Sequence, residues 1–300
     1  MNSTAGFFYD HIVMLYTHLV NQCVPEYFKD FEYTPWVFSL LGSVVIGLSG
    51  ILPLLIIPTD EKLNKQGYKD PGESKFLRVL LSFAVGGLLG DVFLHLLPEA
   101  WKGDNEKSTS SGDYTLNSGL WVLSGILIFT IVEKIFSGYT NADEDQPKKV
   151  TGYLNLVANS IDNFTHGLAV AGPFLVSFRH GVFATFAILL HEIPHEVGDF
   201  AILLRSGFSR SDAAWDQLLT ASAGLLGALV AIGGSGITSA MEARTSWIMP
   251  FTAGGFLHIA LVTVLPDLLQ ENNRLESIKQ FLALIAGIAV MAVMTILFEH

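Results

Sequence analysis

The sequence predicts an all-α polytopic membrane protein with eight transmembrane helices. Half of the 300 residues are hydrophobic and only 15% are charged, whereas a soluble domain carries about 25% charged residues. Apolar stretches that are long enough to cross a bilayer recur along the chain, and one sequence motif returns near its end. The chain therefore has room for one membrane domain and for little else.

Eight mainly apolar stretches, of about 18 to 26 residues each, are long enough to cross the hydrocarbon layer as helices. They cover residues 36–57, 77–98, 118–136, 152–176, 182–204, 213–234, 247–268 and 278–298. Residues 1–35 are then a short N-terminal segment on the lumenal or extracellular side, and residues 36–300 form an eight-helix domain. Within the N-terminal segment, residues 7–20 are apolar but too short to span, so an interfacial helix or a tail is expected there.

The positions of lysine and arginine predict how these spans are oriented. The loops after the first, third, fifth and seventh spans, with their flanks, hold 12 of the 17 basic residues. Because cytoplasmic loops are enriched in basic residues, these loops are expected to face the cytosol. Both termini are then lumenal or extracellular.

An internal repeat supports this layout. The stretches GGLLGDVFLHLLPE, residues 86–99, and GGFLHIALVTVLPD, residues 254–267, align without a gap and share the Gly-Gly start and the Leu-Pro-acid end. They lie in the second and seventh spans, which run in opposite directions, so the two copies are inverted in the membrane. Inverted repeats around a central element are a recurring plan of secondary transporters.

Ionisable residues inside spans are costly and usually functional, and they concentrate in the fourth and fifth spans. Asp162 and His166 in the fourth span are four residues apart, as are His191 and His195 in the fifth, so each pair shares a helix face. A short connection makes the two helices antiparallel neighbours, and both pairs lie about halfway along them. We therefore expect the four side chains to meet at one depth.

The same two spans offer a second set of donors. Asn163, Glu192 and Glu196 lie about 100° around from the first face and could form an adjoining site that shares a ligand with the first. Nitrogen and oxygen donors without thiolates suit Zn²⁺ or Fe²⁺. The single cysteine of the chain, Cys23, excludes a multi-thiolate site within one chain.

The letters HEIPH at residues 191–195 match the HExxH signature of zinc proteases. An intramembrane zinc metalloprotease is therefore the alternative to a transporter. A protease needs a third ligand beside an open coordination position, for which Asp267 is a weak candidate. The second donor-bearing helix and the inverted repeat favour passage of an ion over hydrolysis, so we expect no enzymatic activity.

Other intramembrane polar residues have two interpretations each. Asp91, His95 and Glu99 step by four along the second span and either line an access pathway for the ion or cap the span at the interface. Asp199, in the fifth span, belongs to the same set of candidate pathway residues. His258 stands alone in the seventh span and is expected to be a hydrogen-bonded core histidine rather than a ligand.

The stretches NSIDNFTHGLAVAG, residues 159–172, and HEIPHEVGDFAILLRSGF, residues 191–208, closely resemble the ZIP (Zrt/Irt-like) metal-ion transporters, in particular the LIV-1 branch. The resemblance covers the chain from about residue 36. It implies eight helices, with two inverted three-helix repeats flanking a central pair (3+2+3), and usually a homodimer. It also implies a binuclear site, with the main transport ion held by Asp162, His166, His191 and His195 and the neighbouring ion by Asn163, Glu192 and Glu196. The usual family order in the fourth span is His-Asn-x-x-Asp-Gly, so two donors are exchanged here.

These observations together define the expected function. The resemblance implies alternating-access transport of a divalent cation, Zn²⁺ or Fe²⁺, toward the cytosol, with the ion as cargo and no prosthetic group. The closest likeness is to intracellular members, so the Golgi or endoplasmic reticulum membrane is favoured over the plasma membrane. A net charge of −11 argues against nucleic acid as a partner. The expected partners are divalent metal ions, the lipid bilayer and a second copy of the chain.

Overall fold

The computed structural model describes residues 33–57, 74–106, 113–138, 146–234 and 246–298, and every regular element in these ranges is a helix. The predicted all-α fold class is confirmed. The stretch at residues 7–20, and with it almost all of the N-terminal segment 1–35, lies outside the described residues.

The helices follow the predicted apolar stretches in order, and we number them α1 to α8. They are α1 (Tyr33–Gly47), α2 (Lys75–Asp91), α3 (Asp113–Gly138), α4 (Gln146–Val176), α5 (Phe178–Arg205), α6 (Arg210–Gly233), α7 (Ile248–Leu257) and α8 (Arg274–Phe298). Shorter helical segments continue three of them: Leu48–Ile51 and Pro53–Ile56 follow α1, Val92–Leu96 and Leu97–Glu106 follow α2, and His258–Val264 and Leu265–Leu268 follow α7.

Six of the helical stretches in the described ranges are long and apolar enough to cross a membrane. They are α1, α2, α3, α6, α7 and α8, three of them with their continuations. Helices α4 and α5 are long enough, at 31 and 28 residues, but carry the Asp, Glu and His residues of the predicted site. The two helices that do not meet this criterion of apolarity are therefore the two that carry the predicted metal ligands.

Helices α4 and α5 pack against each other in the interior of the bundle, where α6 packs along α4 and α2 packs against α5. In the second half of α5, residues 195–204 are all buried, and Phe200 and Leu203 are both 0% exposed. By contrast, α3 and α8 expose large apolar side chains such as Leu123 and Phe281. A broad exposed apolar surface is expected of a protein that contacts lipid.

Two helices contain wide π-helical turns at equivalent places of the internal repeat. The turn that continues α2 covers Val92–Leu96, the turn that continues α7 covers His258–Val264, and each is followed at once by Leu-Pro. Proline has no amide hydrogen, and its ring clashes with the carbonyl four residues earlier in a regular α-helix. A π-helical turn is one way for a helix to absorb such a local disturbance. The shared Leu-Pro thus accompanies the same local backbone in both copies.

Glycine contacts at the two repeats are also equivalent. Gly125 of α3 approaches α7 so closely that a Cβ added there would lie 2.2 Å from the carbonyl oxygen of Phe251. A Cβ added at Gly287 of α8 would lie 2.3 Å from the carbonyl oxygen of Phe83 in α2. Phe83 and Phe251 each stand three residues before the Gly-Gly start of their repeat. The contact of α3 with α7 is therefore the counterpart of the contact of α8 with α2.

Candidate metal-binding site

A one-residue connection brings the two donor-bearing helices together. Helix α4 ends at Val176, α5 begins at Phe178, and Ser177 between them is the N-cap of α5. The Ser177 hydroxyl accepts a hydrogen bond from the backbone amide of His180 at 3.3 Å, which satisfies one of the free amides at the start of α5. So short a connection makes α4 and α5 antiparallel neighbours, as the sequence predicted.

The predicted donors of α4 and α5 meet in the interior. His166 Nδ1 lies 3.2 Å from Glu192 Oε1, and the ring centroids of His166 and His191 are 5.8 Å apart. All seven predicted ligands are 8% exposed or less. They are Asp162, Asn163, His166, His191, Glu192, His195 and Glu196.

Three imidazoles form the first of two donor groups. His95, His166 and His191 each offer one nitrogen, and these nitrogens lie within 4.8 Å of one another. The ring centroids of His95 and His191 are 5.0 Å apart. His95 comes from the π-helical turn that continues α2, so the fold brings one of the candidate pathway residues beside two predicted ligands.

Two carboxylates and one imidazole form the second donor group. Asp162, Glu192 and His195 offer ligand atoms that lie within 4.8 Å of one another. Asp162 Oδ2 is 3.8 Å from His166 Nδ1, so the two groups adjoin. This grouping by proximity differs from the predicted division of the ligands between two ions, which stays a prediction. The first group offers nitrogen donors and the second offers nitrogen and oxygen donors, and Zn²⁺ accepts both.

Two further carboxylates hold imidazole rings of the site. Asp91 Oδ1 lies 3.1 Å from His191 Nε2, and Asp199 Oδ2 lies 3.3 Å from His195 Nδ1. Both aspartates are 1% exposed. A carboxylate that bonds one ring nitrogen fixes the orientation and tautomer of the imidazole. Asp91 and Asp199 are thus in a position to orient the rings of two predicted ligands.

Asn163 and Glu196 contact residues that the sequence did not single out. Asn163 Nδ2 donates to Asn159 Oδ1 at 2.6 Å. Gln217 Nε2, from α6, donates to Glu196 Oε2 at 2.5 Å and to the Glu196 carbonyl oxygen at 2.9 Å. The spacing of four between Asn159 and Asn163 is visible in the sequence and could have indicated Asn159. Gln217 lies on a third helix, and no motif marks it.

A cavity of about 340 Å³ reaches from the surface to the three imidazoles. Its lining includes the exposed Glu99, the partly exposed His95 and the buried His166 and His191. Apolar side chains such as Phe183 form most of its other walls. It lies toward the end of the bundle where α4 ends and α5 begins. Candidate pathway residues that follow α2 therefore line a route from the surface to the two donor groups, which together we call the donor cluster.

His258 lies apart from the cluster. It is 1% exposed, and its Nε2 lies 2.6 Å from Glu133 Oε2, while its Nδ1 lies 3.2 Å from Thr130 Oγ1. Both nitrogens of the ring are therefore engaged with side chains of α3. This is the environment expected of a hydrogen-bonded core histidine.

Asp267, the weak candidate for a third protease ligand, is also remote from the donor cluster. Its carboxylate pairs with Arg205, which follows the HEIPH stretch by ten residues, or about 15 Å of helix. Asp267 is therefore not placed to complete a zinc site with HEIPH.

Comparison with known proteins decides between transport and proteolysis. A family model described as ZIP zinc transporter matches residues 33–151 and 140–295. The chain belongs to the ZIP zinc transporter family. The ZIP match spans all eight helices, including α4 and α5 with their buried donors.

Curated ZIP relatives agree with this assignment. The zinc transporter ZIP13 homolog of Drosophila melanogaster is 68% identical over the whole of both chains. Zinc transporter ZIP13 of Pongo abelii is 53% identical over 87% of this chain and 79% of its own, and that of Homo sapiens is 48% identical over 87% and 81%. ZIP membership confirms the predicted class of function, a transmembrane zinc transporter rather than an enzyme.

Proposed function

We propose that this ZIP protein moves Zn²⁺ across an endomembrane toward the cytosol by alternating access through the buried cluster of histidines and carboxylates. The observation that carries the proposal is a set of buried donors at the inner end of a cavity open to the surface. The seven predicted ligands hold the ions, and Asp91, His95, Glu99 and Asp199 serve the pathway or orient the rings.

The electrostatics of the cluster support a cationic cargo. Asp91, Asp162, Glu192, Glu196 and Asp199 are each 2% exposed or less. Within the described residues, their side-chain contacts are with imidazoles and amides. Removing a carboxylate from water costs several kcal/mol unless an opposite charge compensates it. A divalent cation would supply that charge.

The donor set also limits which ions fit. Imidazole nitrogen and carboxylate oxygen suit Zn²⁺ and Fe²⁺, whereas oxygen-only sites suit Mg²⁺ and Ca²⁺. We therefore propose Zn²⁺ as the principal cargo and Fe²⁺ as a second cargo of the same site. Metal binding requires neutral imidazole, so protons compete with the ion.

We further propose that all eight helices cross the membrane, arranged as α1–α3 and α6–α8 around the central pair α4 and α5. The matching π-helical turns of α2 and α7 support this plan. The matching glycine contacts of α3 with α7 and of α8 with α2 support it as well. α4 and α5 can carry charged residues across the bilayer because they are sheltered by the other helices.

The orientation proposed from the basic residues puts both termini and the cavity on the lumenal side. The cavity then takes up the ion from the lumen, and the opposite end must open to release it into the cytosol. In a Cys23→Ser background, a cysteine at Lys149 should react with an impermeant reagent from the cytosol, and one at Glu99 should not. The reverse labelling would overturn the orientation.

Other parts of the proposal concern location and assembly. We propose that the protein resides in the Golgi or endoplasmic reticulum membrane. Residues 1–35 then form a lumenal segment, and residues 36–300 form the transporter domain. We also propose that two copies of the chain associate. Fluorescence microscopy of tagged full-length protein tests the location. Mass measurement of the detergent-solubilised protein tests the dimer, and a monomer mass would contradict it.

Metal flux in proteoliposomes tests the function itself. Full-length protein should give initial uptake of ⁶⁵Zn, and a slower or comparable uptake of ⁵⁵Fe, above empty liposomes. A variant in which Glu192 is replaced by Gln keeps the shape of the side chain and removes the charge between the two donor groups. It should lose most of the flux. Zinc uptake equal to that of empty liposomes by the folded wild-type protein would refute the proposal.

A further inference from the structure

Buried polar side chains continue beyond the donor cluster, toward the end of the bundle that the cavity does not reach. They are Asn155 and Asn159 of α4, Glu196 of α5 and Gln217 of α6, and we call them the amide track. Each is 0 or 1% exposed. Asn155 lies seven residues before Asp162 on α4, or about 10 Å of helix. Glu196 is also a predicted ligand of the neighbouring ion, and Asn155 carries the amide track well past the other predicted ligands.

Contacts join three members of the amide track, Asn159, Glu196 and Gln217, to one another and to the predicted ligand Asn163. Asn159 accepts the hydrogen bond from Asn163 at 2.6 Å and lies beside the Glu196 carboxylate. Gln217 reaches the same carboxylate from α6 at 2.5 Å. Three helices thus direct oxygen-bearing side chains into one buried space.

Helix α1 closes this space from a fourth side. Gly50 lies in the 3-10 turn that continues α1. A Cβ added at Gly50 would be 3.3 Å from the Gln217 Cβ and 3.5 Å from the Glu196 Cδ. The absence of a side chain here leaves room beside the carboxylate that most residues would fill.

Several atoms of the amide track have no hydrogen-bond partner among the described residues: both side-chain polar atoms of Asn155, Nδ2 of Asn159, and Oε1 of both Glu196 and Gln217. A buried polar group left without a partner costs about 1–3 kcal/mol. Leucine or methionine would fill the same volume without that cost. The polar atoms therefore indicate a partner that occupies the space for part of the time.

We infer that the amide track is an exit site, in which Asn155, Asn159, Glu196 and Gln217 receive the cation from the histidine-containing cluster and hold it before release. The inference rests on the proposed function and adds residues to it. Neutral amide oxygens with a single carboxylate bind Zn²⁺ more weakly than imidazoles with carboxylates. A weak second site lets the ion leave the stronger one, since transport requires binding that can be reversed.

Two substitutions at Gln217 test this inference, because one should weaken zinc binding at the exit site and the other should strengthen it. Gln217→Met keeps the length of the side chain and removes its oxygen, so zinc turnover at saturating zinc should fall about tenfold, as for other losses around a metal site. The half-saturating zinc concentration should stay within about twofold, because capture by the donor cluster is intact.

Gln217→Glu adds a carboxylate beside Glu196, so turnover should also fall while the purified protein retains more zinc after chelator treatment. A purely structural role would not increase retained zinc.

A buried glutamine outside the track provides the matched control. Gln280 of α8 is 6% exposed, and Gln280→Met should transport as the wild type does. Asn155→Leu should behave like Gln217→Met. Wild-type turnover in both Gln217→Met and Asn155→Leu would overturn the inference, and so would unchanged zinc retention in Gln217→Glu. If wild-type protein moved no zinc, the proposed function would fail, yet the zinc retained by Gln217→Glu would still test the exit site.

Discussion

The two ends of the bundle differ in how they give access to the donor cluster. At one end, a cavity leads past the exposed Glu99 and the partly exposed His95 to His166 and His191. At the other end, which we call the closed end, Phe200 and Leu203 are completely buried. This difference between the ends is the asymmetry that the proposed alternating-access mechanism requires.

Charged side chains join the helices at the closed end. Arg205 of α5 pairs with Asp267 and donates to the carbonyl oxygen of Thr263 at 3.1 Å. Arg210 of α6 donates to the carbonyl oxygen of Leu54 at 2.7 Å. Contacts of this kind can exchange partners at modest cost, whereas tightly packed apolar side chains cannot. The closed end is thus held by contacts that a conformational change could release.

The largest expected effect concerns the cluster that both ends share. His191→Ala removes an imidazole that faces His95 and His166 and leaves Asp91 without its partner, so zinc flux should fall at least about tenfold to a hundredfold. The measurement is initial ⁶⁵Zn uptake in proteoliposomes, normalised to folded protein by gel filtration.

His258→Ala is the matched control, because this histidine is equally buried but bonds to Glu133 instead of a predicted ligand. It should lower thermal stability and keep flux per folded molecule close to the wild-type value. Equal loss of flux in both variants would mean that our separation of ligand from core histidine is wrong.

The exchanged donors of α4 sharpen the comparison at the boundary of the two donor groups. Asp162 Oδ2 and His166 Nδ1 are 3.8 Å apart, so both side chains can reach one ion. The double variant Asp162→His/His166→Asp keeps charge and donor types and should retain substantial flux, with a shifted ratio of ⁶⁵Zn to ⁵⁵Fe. Each single variant changes the balance of imidazole and carboxylate and should transport poorly. A double variant no better than the worse single would show that the two positions do not share an ion.

A smaller effect is expected at the closed end. Arg205→Gln removes the pair with Asp267, so the end of α5 should separate from α7 more often. The reporter for this separation is a cysteine introduced at Ala158 in a Cys23→Ser background. Ala158 lies between Asn155 and Asn159 in the sequence of α4 and is fully buried. Its labelling by an impermeant thiol reagent from the cytosolic side should rise severalfold when Arg205→Gln is added. Arg78→Gln should raise it less, because Arg78 lies on α2 and pairs with Glu271, so this variant leaves the contact of α5 with Asp267 in place. Identical labelling with and without Arg205→Gln would remove Arg205 from the closure of this end.

The smallest effects test whether the two repeats are built from equivalent parts. Gly125→Ala and Gly287→Ala each force a Cβ toward a backbone carbonyl and should destabilise the protein by about 1–3 kcal/mol. A Cβ at Gly119 meets nothing within 4 Å, so Gly119→Ala should leave the melting temperature unchanged or slightly raised. A marked difference between the first two variants in thermal denaturation would argue against equivalent packing in the two repeats.

The fold was predictable from the sequence because length and apolarity decide whether a helix can cross a bilayer. The exceptions are instructive. Helices α4 and α5 are less apolar than the other six because Asp162, Glu192 and Asp199 are inside them, and the motif in these helices supported the spans that were predicted there. The π-helical turns before Pro98 and Pro266 were not predicted, although both prolines belong to the repeat that the sequence revealed.

The site was predictable as far as its donors share a helix face. Spacing along one helix places Asp162 beside His166, and the short connection at Ser177 brings α5 alongside. Contacts between distant helices have no such local signature. The contacts of His95 with His191 and of Gln217 with Glu196 depend on how α2 and α6 pack against α5. No local sequence pattern indicates which residues of two distant helices will meet.

X-ray absorption at the zinc edge tests the central claim most directly. Zinc bound to the purified full-length protein should have only nitrogen and oxygen neighbours, with the outer-shell scattering of imidazole rings. Replacing His191 by Ala together with Glu192 by Gln should remove that bound zinc while the protein stays folded. Zinc retained with the same imidazole signal in the double variant would contradict the account, because the ion would then lie outside the cluster shared by α4 and α5.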